Sequence, residues 1–70
     1  MSKKVANNVQ KLRTKLNVTQ EELARAVGVT RQTIIAIERG NYTPSVLLAL
    51  ELAMFFRSKV ENIFILEEDK

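Results

Sequence analysis

A glycine at position 28 and a threonine at position 30, with only Val29 between them, constrain this 70-residue chain more than any other feature. Glycine enters the left-handed backbone conformation that ends helices at no steric cost, and threonine is a favoured helix N-cap. A helix that stops and another that starts within three residues pack against each other across a tight turn. The flanks agree with this reading. Thr19-Gln20-Glu21-Glu22 has the capping-box form, in which the threonine oxygen accepts from the backbone three residues on and the glutamate reaches back. Leu23, Ala24 and Val27 are the buried positions of the helix that follows, and the small Ala24 lets the two axes approach. Ile34 and Ile37 face inward from the next helix, which Gly40 ends.

The rest of the chain reads as short elements around this pair. Asn7 or Asn8 caps a first helix that carries Val9, Leu12 and Leu16 as one buried stripe. After the polar loop Asn41-Tyr42-Thr43, Pro44 stands at or just before the start of a fourth helix running to about Phe56. That helix has an inward set, Leu48, Ala49, Leu52, Ala53 and Phe56, and further apolar residues, Leu47, Leu50 and Met54, on another side. Two apolar stripes need two partners. One is the bundle; the other is read as a second subunit, with cover by the chain's own terminal segments as the alternative. Ser58 caps one further turn through Asn62. Ile63-Phe64-Ile65-Leu66 has the β-propensity of a strand, placed at about 63–67, and Glu67-Glu68-Asp69-Lys70 reads as a frayed tail. The expected subunit interface is therefore Leu47, Leu50 and Met54 with Ile63 and Ile65 of the strand.

Composition excludes most reactive chemistry. A chain of this length supports one small core and a single domain, 1–70. It has no histidine and no cysteine, so a disulfide framework, zinc-finger ligation, imidazole acid–base catalysis and a thiol nucleophile are all ruled out. The acids are scattered with no metal-loop pattern; we expect no enzyme, no metal and no cofactor. The longest apolar run, Val46 to Phe56, is interrupted by Glu51 and falls well short of the ~20 residues that cross a bilayer. Lys3 and Lys4 lead into Asn7 and Asn8 rather than into an apolar stretch, so no secretory signal is read and a cytoplasmic location is expected. Residues 1–44 hold eight bases against three acids, whereas residues 45–70 hold three against five. The basic half points to a polyanion as its partner.

The segment QEELARAVGVTRQTIIAIER, about residues 20–39, thus has the spacing of a helix-turn-helix. With NNVQKLR before it, GNYTPS after it and VENIF near the end, it resembles the Cro and phage-repressor type, the XRE-like family, over nearly the whole chain. It is especially similar to small stand-alone regulators in which an N-terminal and a C-terminal strand flank five helices. The resemblance implies an all-α fold, a compact five-helix bundle plus a short two-stranded antiparallel sheet from the terminal segments. It also implies a homodimer that binds double-stranded DNA at a near-palindromic operator, most simply as a repressor, with no ligand domain and no small-molecule ligand. The sequence departs from the family at Arg57-Ser58, where a glycine and an apolar residue are commoner.

Because Ile34 and Ile37 point inward, Arg31, Gln32, Ile35 and Ala36 occupy the other side of the third helix, and by resemblance these positions read bases. The chemistry agrees: Arg31 can grip guanine O6 and N7, Gln32 adenine N6 and N7, and Ile35 a thymine methyl. Two other readings stay open here, a phosphate contact for Arg31 and burial for Ile35. Gln20 resembles the family's phosphate-gripping glutamine, and Thr30, Arg39, Asn41, Tyr42 and Thr43 fall among its backbone contacts; a solvated polar loop is the alternative for the last four. Arg13 and Glu38 sit at the core's edge, where related repressors join their helices by an arginine–glutamate pair. A second function class is an antitoxin or other protein-interaction module that uses the fourth-helix face and the C-terminal segment.

Overall fold

A computed structural model describes residues 2–69, in the order β1 (Ser2–Asn7), α1 (Val9–Lys15), α2 (Gln20–Val27), α3 (Arg31–Glu38), α4 (Val46–Phe56), α5 (Val60–Ile63) and β2 (Phe64–Asp69). The expected bundle of five helices is present, but "all-α" describes only that bundle, because β1 and β2 form an antiparallel sheet of six residues each. Lys3 lies opposite Glu68, Lys4 opposite Glu67 and Val5 opposite Leu66. Opposite charges facing each other across the strands favour this register.

Local chemistry sets the two central helices. Thr19 Oγ1 accepts from the Glu22 amide at 3.0 Å, and the Glu22 carboxylate accepts from the Thr19 amide at 2.8 Å, which completes the capping box. Gly28 has φ +78°, and the Val29 amide turns back to the Ala24 carbonyl at 2.9 Å. Thr30 Oγ1 then accepts from the Thr33 amide at 3.3 Å, opening α3. The helices meet on Leu23, Ala24, Val27, Ile34 and Ile37, which join Val9, Leu48, Leu52, Ala53 and Ile63 in one core. Leu23, Ile34, Ile37, Leu52 and Ile63 are fully buried, each contributing about 1.5–3 kcal/mol of hydrophobic stabilisation.

Several expectations are corrected at the edges of these elements. Leu16 is 53% exposed rather than buried: α1 ends at Lys15, so Leu16 falls at its C-cap, and the backbone turns left-handed at Asn17 (φ 58°) before Val18 packs against the core. Arg13, one turn after Val9, takes the inward position instead. Of the two asparagines expected to cap α1, Asn7 does so, its Oδ1 accepting from the Val9 amide at 3.1 Å, while Asn8 makes no side-chain cap. α5 is preceded by Lys59 rather than capped by Ser58. Ile63 ends α5 and is 0% exposed, so it belongs to the core and its side chain is not free for a second subunit. Glu67 to Asp69 are paired with β1 rather than frayed, while Lys70 lies outside the described residues.

α4 keeps Leu48, Leu52 and Ala53 inside and leaves Leu47 and Met54 71% and 76% exposed, with Leu50 between them also exposed. Its end explains the departure at Arg57. This residue adopts φ 53° and ψ 46°, its amide reaches the Met54 carbonyl at 3.2 Å, and the Ser58 amide reaches Ala53 at 3.0 Å. That is the Schellman pattern in which glycine is usual, here held by an arginine. Among the described residues no helix is long and apolar enough to cross a membrane.

Candidate nucleic-acid interface

With Ile34 and Ile37 locked in the core, the first turn of α3 presents Arg31 and Gln32 to solvent. Ile35 and Ala36 are half-buried on the same side. Ile35 lines a shallow cleft with Gln10, Gln20, Arg31, Glu38 and Arg39, so it is neither a core residue nor a freely projecting one. A second cleft, bounded by Arg13, Thr19, Gln20, Glu21 and Arg31, lies alongside. Gln20 and Arg31 form part of both walls.

Gln20 opens α2, and the first intrahelical bond there is donated by the Leu23 amide to the Thr19 carbonyl at 3.0 Å. The Gln20 and Glu21 amides precede it, at the positive end of the helix dipole, where an anion is favoured. The Gln20 side chain is partly committed: its Nε2 donates to Glu38 Oε1 at 3.0 Å. Glu38 also accepts from Arg13 Nε at 2.7 Å and Arg13 Nη2 at 3.2 Å, while Arg13 Nη1 donates to the Val18 carbonyl at 2.9 Å. Both charged side chains are almost withdrawn from water, at 11% and 4% exposure. The pair is internally neutral. Among the described residues, Arg31 and Arg39 have no carboxylate within salt-bridge distance, so they supply the unbalanced positive charge of the clefts. Arg25 by contrast faces Glu21 one turn away at 3.6 Å, a fully solvated pair.

Thr30 spends its hydroxyl on capping, accepting from the Thr33 amide and sharing a 3.1 Å bond with Thr33 Oγ1, although its surface remains exposed. Arg39 caps the far end of α3, and Asn41, Tyr42 and Thr43 are exposed in the loop beyond. A third cleft joins this end to the sheet through Lys4, Ala6, Asn7, Arg39, Gly40 and Glu67. Sequence reasoning missed this neighbourhood, because it exists only once the terminal strands pair. The exposed Leu47, Leu50 and Met54 lie on α4, and Ile65 is exposed on β2.

The helix-turn-helix family model matches residues 9–63. The chain belongs to that family. It is of the XRE type, with DNA binding and regulation of transcription as the family's activity. An uncharacterised HTH-type transcriptional regulator of Methanocaldococcus jannaschii is 53% identical over 64 residues, covering 91% of this chain and 97% of the relative. The restriction-modification controller protein C.AhdI of Aeromonas hydrophila superposes with a TM-score of 0.73 at 29% identity, over 79% of this chain and 83% of its own. The transcriptional regulator VanUg shares the fold at 20% identity, with a TM-score of 0.78 over 99% of this chain and 92% of its own.

Proposed function

We propose that residues 1–70 act as a single DNA-binding domain and that the chain is a sequence-specific repressor, working as a homodimer on a near-palindromic operator. One observation carries the reading: Arg31 and Gln32 stand exposed on the first turn of α3, beside the leading amides of α2 and the unpaired Arg39. The N-terminal end of a recognition helix is what reaches base edges in the major groove, while helix N-termini and arginines hold phosphates. Arg31 and Gln32 are the readers, with Ile35 and Ala36 shaping the contact; Gln20, Thr30, Arg39, Asn41, Tyr42 and Thr43 set the register. The exposed stripe Leu47, Leu50 and Met54, with Ile65, supports a second copy of the chain. Two recognition helices in successive major grooves then place half-site centres about 10 base pairs apart, near 34 Å. The likeness to a restriction-modification controller protein at 29% identity supports a regulatory role.

Selection of bound duplexes from a random pool tests this reading. Arg31→Ala and Gln32→Ala should each cost about 1–3 kcal/mol at the selected site and relax preference at particular base pairs. Arg39→Ala should weaken all sequences alike and reduce the salt slope by about one unit. If neither Arg31→Ala nor Gln32→Ala alters the selected profile, α3 does not read bases.

A further inference from the structure

An α-helix leaves its last carbonyls without intrahelical partners. At the end of α3 two of these are closed locally: the Asn41 amide donates to Ala36 at 2.9 Å and the Gly40 amide to Ile37 at 2.9 Å, with Gly40 at φ +78°. This Schellman turn aims both Arg39 and the Asn41–Thr43 loop. The Ile37 carbonyl then accepts a second bond from far away in sequence, from Asn7 Nδ2 at 2.8 Å. Asn7 is the last residue of β1, where it pairs with Phe64, and its Oδ1 accepts from the Val9 amide. One partly buried amide therefore spans three elements. Its oxygen opens α1, its nitrogen closes α3, and its backbone belongs to the sheet. The two roles fix which way the amide faces, since a carbonyl demands the nitrogen and an N–H demands the oxygen.

We propose that Asn7 is a positioning residue for DNA binding, holding the C-terminal turn of α3 so that Arg39 and the loop after it meet the phosphate backbone in register. Asn7 lines the same cleft as Arg39 and Gly40; the bonds of Glu38 to Arg13 and Gln20 fix the helix just before this turn, and the Asn7 amide is the long-range tether on the Ile37 carbonyl, at the turn itself. A hydrogen bond of this kind changes a population by about two- to tenfold. The proposal rests on the DNA-binding reading above.

Asn7→Ser in the full chain is the discriminating variant. Serine retains an oxygen for the Val9 amide in the same short turn, and is too short to reach Ile37. Amide exchange without DNA should show Gly40 and Asn41 opening about two- to tenfold faster, with α1 protection kept. Affinity for the duplex selected by the parent chain, and for unrelated duplexes, should fall by a similar factor with base preference unchanged. Arg39→Ala should then cost less in the Asn7→Ser background than in the parent. Should Asn7→Ser fail to fold, Asn7→Asp, which keeps the acceptor for Val9 but opposes a carboxylate to the Ile37 carbonyl, is read by exchange alone. Unchanged exchange at Gly40 and Asn41, or full additivity with Arg39→Ala, overturns the assignment while DNA binding by the parent stands. A parent chain that selects no duplex removes the DNA-binding function and this role with it.

Discussion

Cutting the Arg13–Glu38 pair from one side should be among the costliest single changes in this protein. The carboxylate receives three N–H donors, two from Arg13 and one from Gln20, and keeps 4% exposure. In Arg13→Met it stays buried with the neutral Gln20 amide as its remaining donor. In Glu38→Gln the guanidinium keeps the Val18 carbonyl and gains a neutral amide oxygen in place of a charge. Removing one partner of a buried pair costs about 3–5 kcal/mol, and the retained amide acceptor puts Glu38→Gln near the bottom of that range. A chain of this length has a total stability of about 3.5–10 kcal/mol, so either variant loses a third or more of it. The double variant leaves no buried charge and should cost little more than the worse single one, a coupling of about 2–3 kcal/mol. Urea titrations followed by far-ultraviolet circular dichroism measure this. With a slope near 1 kcal/mol/M for a domain of this size, Glu38→Gln lowers the midpoint by about 3 M and Arg13→Met by about 3–5 M, and the double change by little more than the larger of the two. Losses that simply add would show that the two side chains do not interact, and the reasoning from their geometry would fail.

Three further outcomes follow from the same structure. Met54→Lys should convert a dimer to a folded monomer with poor operator affinity in sedimentation and binding assays, and an unchanged dimer would move the interface off this face of α4. Arg57→Gly should raise stability by about 0.5–1 kcal/mol, because relief of left-handed strain, about 1–2 kcal/mol, outweighs the added freedom of the unfolded chain. A thermal melt reads that as a rise of about 3–6 °C, and a fall would mean the arginine side chain contributes more than its backbone costs. Glu22 accepts from the Thr19 amide, and this bond, more than any other influence, lowers its carboxyl below the ordinary value. A depressed carboxyl contributes stability that is complete above its unfolded value and disappears as pH falls through its folded one. The stability gap between the parent and Glu22→Gln should therefore narrow on acidification, and a gap independent of pH would show that the capping charge is idle.

What could be read from the sequence was local. Thr19, Gly28 and Thr30 act within four residues of themselves, so their bonds are written in the chain order. The inward direction of α3 follows from Ile34 and Ile37 for the same reason. Leu16 leaves the expected stripe because α1 ends at Lys15 and turns left-handed at Asn17, which no apolar spacing announces, while Arg13, placed at the core's edge from the sequence, is buried there one turn after Val9. Ile63 has the β-propensity of the strand that follows, yet the packing of α5 against α4 draws it into the core. β1 is expected only through the family resemblance: Ser2-Lys3-Lys4-Val5-Ala6-Asn7 has no strand pattern of its own, and its register is set by Glu67, Glu68 and Leu66 at the other end of the chain. The part of the interface that depends on it, the approach of Lys4 and Asn7 to Arg39, was invisible for that reason.

The pairing of β1 with β2 also says something about time. The first and last described elements touch each other, so the first strand contact requires closing a loop of nearly the whole chain. Closing a loop of that length consumes entropy in advance, whereas α2 and α3 meet across a turn of three residues. The helical pair is thus the expected nucleus, with the sheet expected to form after the folding barrier. Weakening Lys3, Lys4, Glu67 or Glu68 should shorten the lifetime of the native state while leaving its rate of formation nearly untouched.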